Sequence, residues 1–184
     1  MSSLQSKIQS SKSKIPLKRV YLSLGSNLGD GAAQLRQALA MLPGAGVRVT
    51  GVSSFYKTQP VDFRPQPWFV NCVAKAATDL MPLNLLKRLK AIERALGRRP
   101  GGIPKGPRAI DIDILLYENA VVRSRGLTIP HERLGERRFM LVPLSEIAPE
   151  VRHPLTSLTI REMLAGTPDR SQVFRLKEQD EDRP

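Results

Sequence analysis

Apolar residues recur along this chain in two rhythms, one helical and one alternating, and the switches between them mark out the elements. Arg19 to Leu24 reads as a short strand. It is closed by the turn Gly25-Ser26-Asn27-Leu28-Gly29-Asp30, whose last residue is a good helix N-cap. Leu35, Ala38, Leu39 and Leu42 then fall at i, i+3, i+4 and i+7 of a helix that Pro43-Gly44 ends. Val47 to Tyr56 predicts a strand, Phe63 to Pro67 a loop, and Trp68 to Ala77 a further strand. A second helix opens near Pro82, carries Leu85, Leu89, Ile92 and Leu96 on one face, and ends at Gly97. Arg98 to Pro107 places three glycines and three prolines in a long loop. Ala109 to Leu116 and Leu127 to Ile129 read as strands, and Leu158 to Leu164 as a late helix. Strands interleaved in this way predict an α+β or α/β sandwich in which helices cover one sheet.

Composition narrows the class. The chain has 184 residues, 41% of them hydrophobic, which suits one domain with a real core. Residues 1–17 hold six serines and three lysines without a regular period and predict a disordered basic arm, with a transit peptide the weaker reading. Residues 18–166 form the expected domain, and 167–184 a charged tail expected to fray. Neither arm is long enough for a second domain. No apolar run reaches the roughly 18 residues a bilayer span needs, and the N-terminus lacks a secretory apolar stretch, so the expected location is cytoplasmic, with no membrane partner. The single cysteine, Cys72, lies in an apolar strand setting and is expected to be a packed core thiol.

The net charge of +12 raises a nucleic-acid reading against that of a small polyanion. Ile110-Asp111-Ile112-Asp113-Ile114 bears on the choice: strict alternation puts both acids on one face, roughly 6.6 to 7 Å apart at Cα, while the isoleucines enter the core. Two ionised carboxylates so placed repel. A divalent cation removes that penalty, and Mg²⁺ typically takes one or two carboxylates plus phosphate oxygens and water; an acidic, half-solvated strand face is the alternative. Gly106-Pro107-Arg108 stands immediately before the pair and offers a guanidinium for phosphate. Arg98, His131 and Arg137 are the further candidates for charge neutralisation in phosphoryl chemistry. Neither a Walker A pattern nor a kinase-type glycine-rich loop is present. Phe69 and Asn71 share one face of their strand, which suits a flat heterocycle with a hydrogen-bonding edge as well as an ordinary core; Phe139 is a candidate opposite wall. Basic residues grouped in loops around fixed acids disfavour a nucleic-acid partner.

The motifs Gly25-Ser26-Asn27-Leu28, Ser53-Ser54-Phe55-Tyr56-Lys57-Thr58, Phe69-Val70-Asn71, Gly106-Pro107-Arg108-Ala109-Ile110-Asp111-Ile112-Asp113, Leu127-Thr128-Ile129-Pro130-His131 and Glu136-Arg137-Arg138-Phe139 occur in this order. Over about residues 19 to 165 the chain resembles the 6-hydroxymethyl-7,8-dihydropterin pyrophosphokinases of folate biosynthesis. The resemblance implies a ferredoxin-like α+β sandwich, monomeric, with a mainly antiparallel sheet covered by helices. It implies transfer of the pyrophosphoryl group of ATP to the hydroxymethyl oxygen of the pterin, giving AMP. Asp111 and Asp113 would hold two Mg²⁺ ions. Lys90, Glu93, Ile114, Thr128 and His131 would line the nucleotide site, and Arg98, Arg108 and Arg137 would face the phosphates. Phe69 and Phe139 would sandwich the pterin, with Asn71 and the backbone at Thr58 and Val61 reading its edge and Gln59 beside them. The flexible loops map to Gly25–Asp30, Lys57–Pro67 and Arg98–Pro107. The sequence departs from the family pattern at Lys105, a lid position usually aromatic; at Pro100 and Gly126, where some members have arginines; and at Gln59, which replaces a frequent proline.

Overall fold

The computed structural model describes residues 16–61, 65–98 and 106–177. In these, the order is β1 (Lys18–Ser26), α1 (Gly31–Met41), β2 (Arg48–Val52), β3 (Tyr56–Thr58), β4 (Phe69–Thr78), α2 (Pro82–Ala95), β5 (Asp111–Tyr117), β6 (Val122–Ser124), β7 (Leu127–Ile129), α3 (Arg138–Ile147), α4 (Ile160–Gly166) and β8 (Val173–Arg175). One six-stranded antiparallel sheet runs β5-β1-β4-β3-β8. The strand β2 pairs with Ala74–Ala77 of β4, beyond the stretch that β3 occupies, and β6 and β7 form a separate hairpin. The antiparallel sheet with packed helices is the expected α+β sandwich.

Alternation along the strands divides the core into two layers. Val20, Leu22 and Leu24 of β1 and Ile112 and Ile114 of β5 pack with Leu35 and Ala38 of α1 and Leu85, Leu89 and Ile92 of α2. Tyr21, Val73 and Leu115 pack in the second cluster with Met140, Leu141 and Leu144 of α3 and Ile160 and Met163 of α4. Each fully buried leucine or isoleucine contributes about 1.5 to 3 kcal/mol. Cys72 is buried in the first layer, as expected. No helix among the described residues is long and apolar enough to cross a membrane.

Local chemistry sets the boundaries. Asp30 caps α1 by accepting from Ala33 N at 2.9 Å, and Gly97 ends α2 with φ +91°, a left-handed conformation glycine adopts freely. Thr159 and Glu162 form a reciprocal capping box on α4. The strand expected over Val47–Tyr56 is two strands, because Ser53 and Ser54 leave the ladder: Ser53 Oγ accepts from Val73 N at 3.0 Å, and Ser54 N donates to Glu146 Oε2 at 2.9 Å.

Three elements have no counterpart in the sequence reading. Helix α3 contains Pro143, which breaks the helical pattern on paper but fits at the cost of one backbone donor. Strand β6 completes the hairpin with β7. Strand β8 corrects the expectation of a fraying tail for residues 167–177: it pairs with β3, and Phe174 stacks on Trp68 with centroids 5.9 Å apart and an interplanar angle of 8°. The arm read over 1–17 lies outside the described residues except for Pro16 and Leu17, as do residues 178–184, Asp62 to Arg64, and Pro100 and Lys105 in the long loop.

Candidate active site

On β5 the alternation does what the sequence implied: Ile112 and Ile114 are buried, while Asp111 and Asp113 face the other way. In register with them on β1 are Gly25 opposite Asp111 and Ser23 opposite Asp113. These residues line a cleft of about 280 Å³ at the polar end of the sheet face that α3 and α4 otherwise cover. It also takes in Lys90, Arg98, Arg108, Arg137, Phe69, Asn71, Phe139, Thr58, Gln59 and Val61, so twelve of the seventeen site candidates meet there.

The carboxylate end is a charge cluster. Asp111 accepts from Nη1 of both Arg98 and Arg108, with Lys90 Nζ 3.9 Å away. Burial alone would raise its pKa, but Arg108, Arg98 and Lys90 outweigh burial and hold the carboxyl below the usual range. Asp113 differs: burial, and then the charge of Asp111, push its carboxyl up to about 6. Arg98 stays cationic because Asp111 and Glu93 overcome the burial that opposes its charge. Glu93, only 1% exposed, is the support beneath: Oε1 accepts from Lys90 Nζ and from Ile112 N, both at 2.7 Å, and lies 2.7 Å from Arg98 Nη1. It thereby satisfies a backbone donor on the outer edge of β5 and ties two cations of α2 and its exit to that strand.

The aromatic end is equally constrained. Asn71 Nδ2 donates to Thr58 Oγ1 at 2.7 Å, which fixes the amide and the rung Tyr56–Asn71 of the ladder. Gly25 leaves room for it, since a Cβ there would stand 2.4 Å from Asn71 Oδ1. The guanidinium of Arg108 lies over the Phe69 ring at 5.9 Å and that of Arg137 over Phe139 at 5.5 Å, so cations border both rings. Asn27 joins three loops: Nδ2 donates to Gln66 Oε1 and Pro67 O, Oδ1 accepts from Arg108 N, and its own N donates to Arg108 O.

Four candidates do not line the cleft. Glu93 lies beneath its wall. Ile114 is turned into the core by strand alternation. Thr128 faces Arg123 in the β6–β7 hairpin. His131 donates its backbone N–H to Leu115 O in the middle of β5 and accepts from Arg133 N at Nδ1; burial first, and then the Arg137 charge, lower its pKa to about 4, so it is neutral at pH 7. The lid candidate Lys105 is outside the described residues. Gly126 has a structural reason, a φ of +87° in the β6–β7 turn that an arginine would fill with strain. Conversely, Ser23, Gly25, Pro60 and Gln66 line the cleft without having been singled out for it. Counting alternate positions along β1 from buried Leu24 would have found the first two.

The residues fit a hard divalent cation. Two carboxylates on one face are oxygen donors; burial, and then their mutual repulsion, lift the pKa of Asp113, and positive charge between them opposes both. Among the described residues no group of three or more His, Cys, Asp or Glu is placed to hold a metal, so phosphate oxygens and water would complete any coordination shell.

Comparison with known proteins shows relatives of the same fold and sequence pattern. The sequence profile of the family described as 7,8-dihydro-6-hydroxymethylpterin-pyrophosphokinase matches residues 21–149. The chain is 46% identical over 171 residues to the folic acid synthesis protein fol1 of Schizosaccharomyces pombe, covering 92% of this chain and 22% of that protein. It is 45% identical over 148 residues to 2-amino-4-hydroxy-6-hydroxymethyldihydropteridine pyrophosphokinase of Methylorubrum extorquens, covering 80% of this chain and 92% of that one. A crystal structure of wild-type Plasmodium falciparum HPPK-DHPS shares the fold, with a TM-score of 0.65 at 16% identity over 81% of this chain and 43% of that one. The chain thus spans about a fifth of the length of the Schizosaccharomyces pombe relative, at 22%, and most of the bacterial one.

Proposed function

This chain belongs to the 7,8-dihydro-6-hydroxymethylpterin-pyrophosphokinase family, and we propose that it transfers the β,γ-pyrophosphoryl group of ATP to the hydroxymethyl oxygen of 6-hydroxymethyl-7,8-dihydropterin. The new bond joins that oxygen to the β-phosphorus, the bond from the β-phosphorus to the bridging oxygen of AMP breaks, and the hydroxymethyl proton is released. The observation that carries this reading is the polarity of the cleft: a cation-bordered pair of carboxylates at one end, and two phenylalanines with an amide at the other.

Each end has its task. Phe69 and Phe139 hold the flat pterin, and Asn71, fixed by Thr58, reads its edge with the amide hydrogen-bonding capacity left free. Arg98, Arg108, Lys90 and Arg137 bind the triphosphate and balance charge as it shifts toward AMP. Arg98 and Arg108 both donate to Asp111, so the two guanidiniums stand beside the carboxylate that would hold a metal, within reach of phosphate oxygens bound to that metal. Mg²⁺ at Asp111 and Asp113 would neutralise the phosphates and favour ionisation of the attacking hydroxyl.

The test mixes the purified protein with ATP, Mg²⁺ and 6-hydroxymethyl-7,8-dihydropterin and follows nucleotide products. AMP in equal amount to pterin diphosphate is the expected result; ADP, or no product from folded protein, overturns the reading. Chelation of divalent ions should abolish AMP formation and re-addition of Mg²⁺ restore it.

A further inference from the structure

The described segment that follows α4 touches the neighbours of three parts of the aromatic end. Its strand β8 pairs Val173 with Thr58 and Phe174 with Lys57. One residue further into the cleft rim the contact continues: Gln59 N donates to Gln172 O at 3.0 Å and Gln172 N donates to Gln59 Oε1 at 3.3 Å. A proline at position 59 has no N–H and would lose the first of these. Phe174 stacks on Trp68, the residue before Phe69. On the third side Asp169 Oδ2 accepts from Arg138 N at 2.7 Å, serving a free donor in the first turn of α3 next to Phe139. Leu176 N donates to Phe55 O at 2.8 Å, anchoring the far end. Phe174 itself is 53% exposed, so its ring is not a main support of the fold.

We propose that Asp169 and Phe174 are positioning residues for pterin binding, through which the segment 169–176 sets the spacing of Phe69, Phe139 and the Thr58–Gln59 edge. The inference rests on the function proposed above and deepens it. It gives the C-terminal strand a role in selecting a flat heterocycle of fixed thickness, while the nucleotide end is left to α2 and β5.

Phe174→Ala and Asp169→Ala test it in the full chain, since neither side chain lines the cleft. Each should raise KM for the pterin about threefold to tenfold while KM for ATP and kcat stay within about twofold. Trp68 is the sole tryptophan, so loss of the stack in Phe174→Ala is read directly as a change in its emission. Phe174→Leu, which keeps apolar cover, supplies a folded variant with an intermediate pterin KM should the alanine chain aggregate. Pterin KM within twofold of wild type in folded variants overturns the proposal, and so does a parallel rise of both KM values. A wild-type chain that forms no AMP overturns the proposed function and this inference with it; an active wild type with indistinguishable variants overturns this inference alone.

Discussion

At Asp113 function and stability pull in opposite directions. Its carboxyl ionises near 3.8 in an unfolded chain and at about 6 in the folded one, so folding favours the protonated form. Stability from this group is complete below pH 4 and is lost as pH rises through 6. Asp113→Asn should therefore be more stable than wild type at pH 8, by on the order of 1 to 3 kcal/mol, and match it near pH 4. Turnover should fall by at least about a hundredfold, because an amide is a poor metal ligand. Thermal melts at both pH values beside an AMP assay check this; equal melting at pH 8 would sink it. Gly25→Ala makes the opposite kind of change. Its new methyl would meet Asn71 Oδ1, so the amide must move, and pterin KM should rise about tenfold with ATP affinity unchanged by calorimetry.

Among the elements, α2 and β5 depend on each other through Glu93. Replacement by alanine leaves Ile112 N, Lys90 and Arg98 without their shared acceptor, a loss of about 3 kcal/mol expected in urea unfolding with the slope unchanged. Asp30→Ala, by contrast, removes only a cap and should cost about 1 kcal/mol without changing either KM. The pattern of what the sequence made visible follows from the same distinction. Alternation in β5, the Asp30 cap and the leucine stripe of α2 are local, and all were legible. The short β8 was not, because three residues carry no period and their partner lies in β3, over a hundred positions away. Pro143 hid α3 by breaking a rule that this helix satisfies in another way. Glu93 was named only for the nucleotide site, and the fold places it beneath the strand, because its partner Ile112 N lies on another element.

For the whole molecule, charge is distributed by purpose. The cations that count are the few around Asp111 and Asp113, and added salt screens their pull on a triphosphate more than the packing of a pterin between rings. KM for ATP should thus rise several-fold between about 50 and 500 mM KCl while that for the pterin stays nearly constant, a contrast that initial-rate kinetics resolve. The two faces of the sheet separate these tasks further, with α1 and α2 closing one and the cleft opening at the end of the other. Strand β5 belongs to both. Saturating mutagenesis from Ile110 to Ile114, scored once for cellular abundance and once for growth without folate, should yield two profiles of period two that are out of phase. Ile110, Ile112 and Ile114 would be depleted in the abundance score. Asp111 and Asp113 would be depleted only for growth, so five consecutive codons would separate what this chain needs to exist from what it needs to act.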